Sequence, residues 1–311
     1  MLTPRRRVFA LLIVGLVVGV PLVLVCARTQ VYQRQQILFD SGQNGPMEIY
    51  VIDPDGANQR RLTKTAGGKE SRGPSWSPDR RQIAFASNRD GRWELYVMNA
   101  DGSDARQLTR APREGVDNGI NPDWSPDGKR ITFDSNLSGK QEIYVIDSDG
   151  ANLHQVTRTS GEGRDSWIPN WSPNGEHIVF VSNRDGSSEI YVMAADGSDV
   201  RPLTHLSSGL SQQVWCPVWS PDGKRIVFSS AHSGNWEIYV MGDDGSNIQQ
   251  LTNEPKSDRR PHWSPDGKKI AFMSDRHTDS GEDQIYVMGA DGSNVRRLTF
   301  NKPRDDGHPN W

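Results

Sequence analysis

Short apolar runs recur along the chain from about residue 36 onward, each bounded by glycine, proline, asparagine or aspartate. The most uniform run reads Ile49-Tyr50-Val51, Leu95-Tyr96-Val97, Ile143-Tyr144-Val145, Ile190-Tyr191-Val192, Ile238-Tyr239-Val240 and Ile285-Tyr286-Val287. These positions are apolar on both alternating faces, and a strand of that kind must be covered on both sides. No segment beyond residue 35 carries a 3.6-residue apolar period over helix length, so the predicted class is all-β.

The runs are organised into a repeat. Trp76, Trp124, Trp171, Trp219 and Trp263 each open a Trp-Ser-Pro segment, and with the terminal Trp311 they are spaced by 48, 47, 48, 44 and 48 residues. Asp-Gly pairs at Asp55, Asp101, Asp149, Asp196, Asp244 and Asp291 follow at intervals of 46, 48, 47, 48 and 47. A period in the forties signals stacked supersecondary units rather than a single folded core. In the unit from Trp219, the Ser-Pro-Asp222-Gly223 turn leads into Arg225-Ile-Val-Phe-Ser229. A polar loop then precedes Glu237-Ile-Tyr-Val-Met241, and Asp244-Gly245 reverses the chain into Asn247-Ile-Gln-Gln-Leu-Thr252. Four short strands per unit describe one blade of a β-propeller, because proline and glycine supply the turns and Asp-Gly is a strong hairpin signal.

Three strands precede the first Trp-Ser-Pro: Ile37-Leu-Phe39, Ile49-Tyr-Val51 and Arg60-Arg-Leu-Thr63. Pro309-Asn-Trp311 offers one inner strand with nothing after it. Together they make one blade, which predicts a six-bladed propeller with Velcro closure that leaves no exposed edge.

The N-terminus has a different composition. Arg5-Arg-Arg7 precedes Val8 to Ala27, twenty residues without a charge. That stretch is long enough to span a bilayer and longer than the apolar region of an ordinary signal peptide. The arginines should remain cytoplasmic. The expected organisation is therefore a basic segment at 1–7, a transmembrane anchor or signal helix at 8–27, a linker at 28–35 and an extracytoplasmic propeller at 36–311. Cleavage near Ala27, giving a secreted or periplasmic protein, is the alternative; a lipoprotein reading through Cys26 is disfavoured by bulky Val25. A formal charge of −3 gives no reason to expect nucleic acid as a partner. The two cysteines, Cys26 and Cys216, form no disulfide framework.

The unit Pro-x-Trp-Ser-Pro-Asp-Gly, Ile-x-Phe-x-Ser, Glu-Ile-Tyr-Val-Met, Asp-Gly, Leu-Thr resembles the WD40-like repeat of the TolB family. Pro217–Thr252 and Pro261–Thr299 match it most fully. The resemblance implies a six-bladed propeller outside the cytoplasm and, in the Tol-Pal system, binding of the peptidoglycan-associated lipoprotein. TolB also carries an α/β domain ahead of its propeller, whereas about eight residues separate the apolar stretch from the first strand here. The fold is carried over and the Tol-Pal partner is not.

Positions that vary between units are where function can hide. The residue before each tryptophan reads Ser75, Asp123, Asn170, Val218, His262 and Asn310, and the residue before each proline reads Gly73, Asn121, Ile168, Cys216, Arg260 and His308. Both sets are expected to ring one mouth of the central channel. Asn121, Asp123, Asn170, Arg260, His262, His308 and Asn310 would form a polar rim there, with Trp167 and Trp215 adding aromatic contacts. The expected function is a non-enzymatic scaffold for a protein, peptide or envelope ligand, monomeric and needing no cofactor or metal. A propeller hydrolase acting on glycans or peptides is the alternative. The Gly-x-Ser-x-Gly nucleophile motif is absent. A carboxylate pair would have to come from Asp123 with Asp165 or Glu114, and nothing in their spacing singles them out.

Overall fold

The computed structural model describes residues 35–112, 115–206, 214–278, 281–300 and 305–311. The predicted anchor at 8–27 and the candidate acid Glu114 lie outside them. Among the described residues every regular element is a strand, and the strands form six four-stranded antiparallel sheets.

The blade that begins at Ser71 shows how sequence becomes structure. Its inner strand, Ser71–Trp76, pairs with Gln82–Ser87, which pairs with Glu94–Asn99, which pairs with the short outer strand Arg106–Gln107. Between the first two strands, the Ser77 hydroxyl donates to Asp79 Oδ1 at 2.7 Å and accepts from Gln82 N at 2.9 Å. Asp79 Oδ1 in turn accepts from Arg81 N at 3.0 Å, so the Trp-Ser-Pro-Asp motif is a turn closed by its own side chains. Asn174, which replaces aspartate in one unit, makes the same bonds to Ser172 and Glu176. The Glu and Thr of the repeat form a clasp. Thr109 Oγ1 donates to buried Glu94 Oε2 at 2.7 Å and accepts from Leu95 N at 2.9 Å, fastening the outer strand to the third.

Burial on both faces follows from stacking. Ile83, Phe85, Tyr96 and Met98 of this blade pack with Leu38, Ile49 and Val51 of the blade before it, with Trp76 between them. The five other clusters repeat the arrangement, so the core is a ring of inter-blade layers rather than one central mass. Each tryptophan is scaffold; arginines stack on several of them, as Arg80 does on Trp76 at 4.4 Å and Arg130 on Trp171 at 4.7 Å.

The last strand, Asp306–Asn310, pairs antiparallel with Ile37–Ser41, and that sheet continues through Glu48–Ile52 to Arg60–Arg61. Trp311 is buried among Ile37, Phe39, Tyr50 and Ile52 of this blade and Ala271, Ile285 and Val287 of the preceding one. The chain enters at Gln36, whose carbonyl accepts from Trp76 Nε1 at 3.3 Å. That places the first described residues on the face carrying the Trp-Ser-Pro turns.

Candidate functional site

The inner strands set the geometry of the channel. In each, the residue before proline has a positive φ: Gly73 at 57°, Asn121 at 50°, Ile168 at 55°, Cys216 at 51°, Arg260 at 53° and His308 at 47°. Pairing with the second strand slips there, for example between Trp167 and Asn170, which marks a β-bulge in every blade. Left-handed backbone is unfavourable for Ile168 above all, because its branched Cβ crowds the carbonyl. The bulge breaks the in–out alternation of the strand. As a result, the residues on its two sides belong to different chambers.

A constriction of about 90 Å³ lies at the level of the bulges and prolines. On one side, the Trp-Ser-Pro face, a mouth of about 270 Å³ is lined by Ser75, Asp123, Asn170, Val218, His262 and Asn310. On the other side a funnel opens in two lobes of about 530 and 400 Å³, which share Arg72, Trp215, Arg260 and His308. The larger lobe adds Trp93, Trp167, Asp134, Gln141 and Asp165; the smaller adds Trp236, Arg259 and Asp283.

The seven polar residues expected on one rim, Asn121, Asp123, Asn170, Arg260, His262, His308 and Asn310, line the constriction together. Asn121, Arg260 and His308 also line the funnel, with Trp167 and Trp215. Asp123, Asn170, His262 and Asn310 also line the opposite mouth, and their polar atoms are used between blades. Asp123 Oδ2 accepts from Trp171 N at 2.7 Å, Asn170 Oδ1 from Trp219 N at 2.9 Å, and Asn310 Oδ1 from Trp76 N at 3.0 Å. His262 Nε2 lies 3.0 Å from Asn310 Nδ2, and its Nδ1 lies 3.0 Å from the Trp263 carbonyl. Burial pushes the His262 imidazole down to about 4, so it is neutral near pH 7. Burial pushes the Asp123 carboxyl up to about 7, against the hydrogen bonds it accepts from Trp171 and Trp124. These four side chains are blade-to-blade staples.

The funnel is built differently. Trp167 and Trp215 sit on adjacent inner strands with ring centroids 5.9 Å apart and planes inclined at 47°, a contacting aromatic pair in the funnel wall. The Trp167 indole N–H is buried without a hydrogen-bond partner among the described residues. Arg72 stands over the Trp93 ring at 5.9 Å and pairs with Glu70 at 2.8 Å. At the floor, Arg260 reaches across the ring to the opposite blade, where its Nη1 donates to Asn121 Oδ1 at 3.3 Å.

Two buried carboxylates stand behind the floor. Asp40 accepts from Gly73 N at 2.8 Å and lies 2.8 Å from His308 Nδ1. Burial raises its carboxyl, but the neighbouring His308, the Gly73 N–H and Arg260 outweigh that and hold it below the usual range. Asp134 accepts from Asn121 Nδ2 at 2.9 Å, Ile168 N at 3.2 Å and Gln141 Nε2 at 2.7 Å. Burial still pushes it up to about 6. Cys216 is buried and its thiol is pushed up to about 11, which makes it unreactive near neutral pH. Among the described residues, no group of three or more His, Cys, Asp or Glu side chains is placed to hold a metal.

Sequence reasoning found Trp167, Trp215 and Arg260. It gave no weight to Trp93, Trp236 and Arg259. Position two before proline, which reads Arg72, Ile120, Trp167, Trp215, Arg259 and Gly307, was the available signal for Arg259, and the residue before the third-strand glutamate was the signal for Trp93 and Trp236.

Six sheets around a central channel with an aromatic-lined funnel define a closed β-propeller. The sequence profile of the TolB beta propeller domain matches residues 32–118, 113–216 and 205–311. The chain belongs to that family. Among solved structures, TolB from Acinetobacter baumannii superposes with a TM-score of 0.74 at 22% identity, over 89% of this chain and 66% of that one. A TolB-type protein of Agrobacterium tumefaciens gives 0.68 at 26% identity, over 84% and 89% of the two chains. An oligogalacturonate lyase from Vibrio parahaemolyticus gives 0.57 at 14%, over 87% and 78%, a likeness of fold alone. No curated protein sequence matches the chain.

Proposed function

We propose that this protein is a non-enzymatic scaffold whose funnel receives an extended segment of a protein partner in the cell envelope. The observation that carries this reading is the pair of contacting indoles, Trp167 and Trp215, in the wall of a two-lobed cavity. Rigid, partly exposed indoles that lose little entropy on contact are the usual anchors of a protein interface. The chain reaches the propeller on the face opposite the funnel, as Gln36 at Trp76 shows. A membrane anchor at 8–27, with residues 1–7 cytoplasmic and 28–35 as linker, would thus hold the propeller outside the cytoplasm with its funnel open. The reading takes the protein as a monomer; no residue is given a role in binding nucleic acid. The four staple residues stabilise the ring, and the ligand contacts fall to the funnel residues.

The alternative is a hydrolase of glycans or peptides. It is supported by two carboxyls in the funnel raised to about 6, Asp134 and Asp283. Three hydrogen-bond donors already occupy Asp134, and Arg259 pairs with Asp283 at 3.0 Å, which leaves both poorly placed to exchange a proton with a substrate.

Replacing Trp167 and Trp215 together with alanine is the test. Crosslinking in intact envelopes followed by purification of the protein should yield partner adducts with the wild type and lose them with the double variant, while thermal unfolding shows the ring intact. Undiminished adducts from a folded double variant would reject the funnel as the binding surface.

A further inference from the structure

The floor of the funnel carries a guanidinium whose charge is felt by the buried Asp40 and Asp134 carboxyls but is bonded to neither. Among the described residues Arg260 makes no ion pair, and of its five N–H donors one is engaged, in the 3.3 Å bond to Asn121. The other funnel cations are matched, Arg72 by Glu70 at 2.8 Å and Arg259 by Asp283 at 3.0 Å. The nearby acids are also engaged: Asp40 with His308 and Gly73 N, Asp134 with Asn121, Ile168 N and Gln141, and Asp165 with Gln141 N at 3.0 Å. A second donor without a partner, the Trp167 indole N–H, lies in the same lobe. Unsatisfied donors around a half-buried guanidinium call for an oxyanion, and the planar fork of arginine matches a carboxylate through two parallel bonds.

The shape says how that carboxylate arrives. Because Arg260 bridges to the opposite blade across the channel, a chain entering the funnel meets its guanidinium head-on. Above the floor, two indoles in contact at 5.9 Å form an apolar wall for a side chain to lie against. We propose that the funnel recognises the free C-terminus of a peptide, its carboxylate held by Arg260 and its last apolar side chain lying against Trp167 and Trp215. This deepens the scaffold reading and rests on it.

The experiment measures binding of the full-length protein to fluorescein-labelled tetrapeptide pools ending in Leu, Phe or Tyr. One pool has free C-terminal carboxylates; the other is the same pool amidated. The acid pool should bind at least tenfold tighter than the amide. Arg260→Gln should erase that difference, and Arg260→Lys should restore it in part. Equal affinity of acid and amide pools, with binding still abolished by the Trp167→Ala and Trp215→Ala pair, would overturn the C-terminal anchor while leaving the scaffold reading intact. Binding of neither pool overturns the anchor too, as does tight binding of acidic oligosaccharides in place of the acid pool. The acid–amide comparison on the wild type needs no variant, so a folding defect in Arg260→Gln does not blunt it.

Discussion

Asp123 shows how a polar side chain on an inner strand can be structural in purpose. It staples the next blade through Trp171 N at 2.7 Å, the task that Asn170 and Asn310 perform elsewhere in the ring. With its carboxyl raised to about 7 by burial, the folded state holds a proton that the unfolded chain releases near the ordinary aspartate value of 3.8. The stability associated with that proton is complete below the unfolded pKa and is lost as pH rises through the folded one. Asp123→Asn keeps the acceptor and removes the titration. The variant should therefore gain on the wild type as pH rises from 4 to 7, reaching about 1–3 kcal/mol at pH 7. Urea denaturation of both proteins at several pH values measures this; a gap that stays constant with pH would show that Asp123 is ionised in the fold. His262 contributes the opposite slope in both proteins, since protonation of a buried imidazole opposes folding in acid, and it cancels in the comparison.

Each blade depends on its clasp as much as on its apolar runs. The outer strands are only two residues long, as in Arg106–Gln107, and exposed, so their own ladder bonds hold them weakly. Thr109 and Glu94 supply the missing attachment. In the sixth repeat Gln284 replaces the glutamate and still meets Thr299, at 3.3 Å. Accordingly, Glu94→Gln should be tolerated. Thr109→Val leaves both the Leu95 N–H and the Glu94 carboxylate short of a partner, and should cost about 1–3 kcal/mol in chemical denaturation. Equal effects of the two substitutions would mean that charge, rather than hydrogen-bond completeness, secures the strand.

The whole ring is held by one non-local pairing, that of Asp306–Asn310 with Ile37–Ser41. Deleting residues 305–311 removes a buried tryptophan, typically worth about 3–5 kcal/mol, and uncovers a sheet edge. Thermal unfolding should fall by roughly 10 °C or more, at about 2–4 °C per kcal/mol for a protein of this size, and the truncated protein should self-associate. Trimming an ordinary tail would do neither.

Much of this architecture was legible in the chain because it is periodic. Trp-Ser-Pro turns, Asp-Gly hairpins and Ile-Tyr-Val strands are local signals, and their recurrence set the class, the strand count per unit and the scaffold role of the tryptophans. The site was legible only in part. Sequence placed Asp123 and Arg260 on one rim because both sit beside an inner-strand proline; the structure brings both to the constriction, from which Asp123 extends to the mouth and Arg260 to the funnel. The cause is the left-handed residue before that proline, which shifts the register by one and sends its neighbours to different chambers. Whether a polar side chain is left for a ligand depends on the adjacent or opposite blade, about 48 or 139 residues away along the chain. The repeat by itself determined what kind of ring forms. Only the closed ring decided that Asp123 is consumed by its neighbour while Arg260 keeps most of its donors free, because that depends on contacts between residues no local pattern relates.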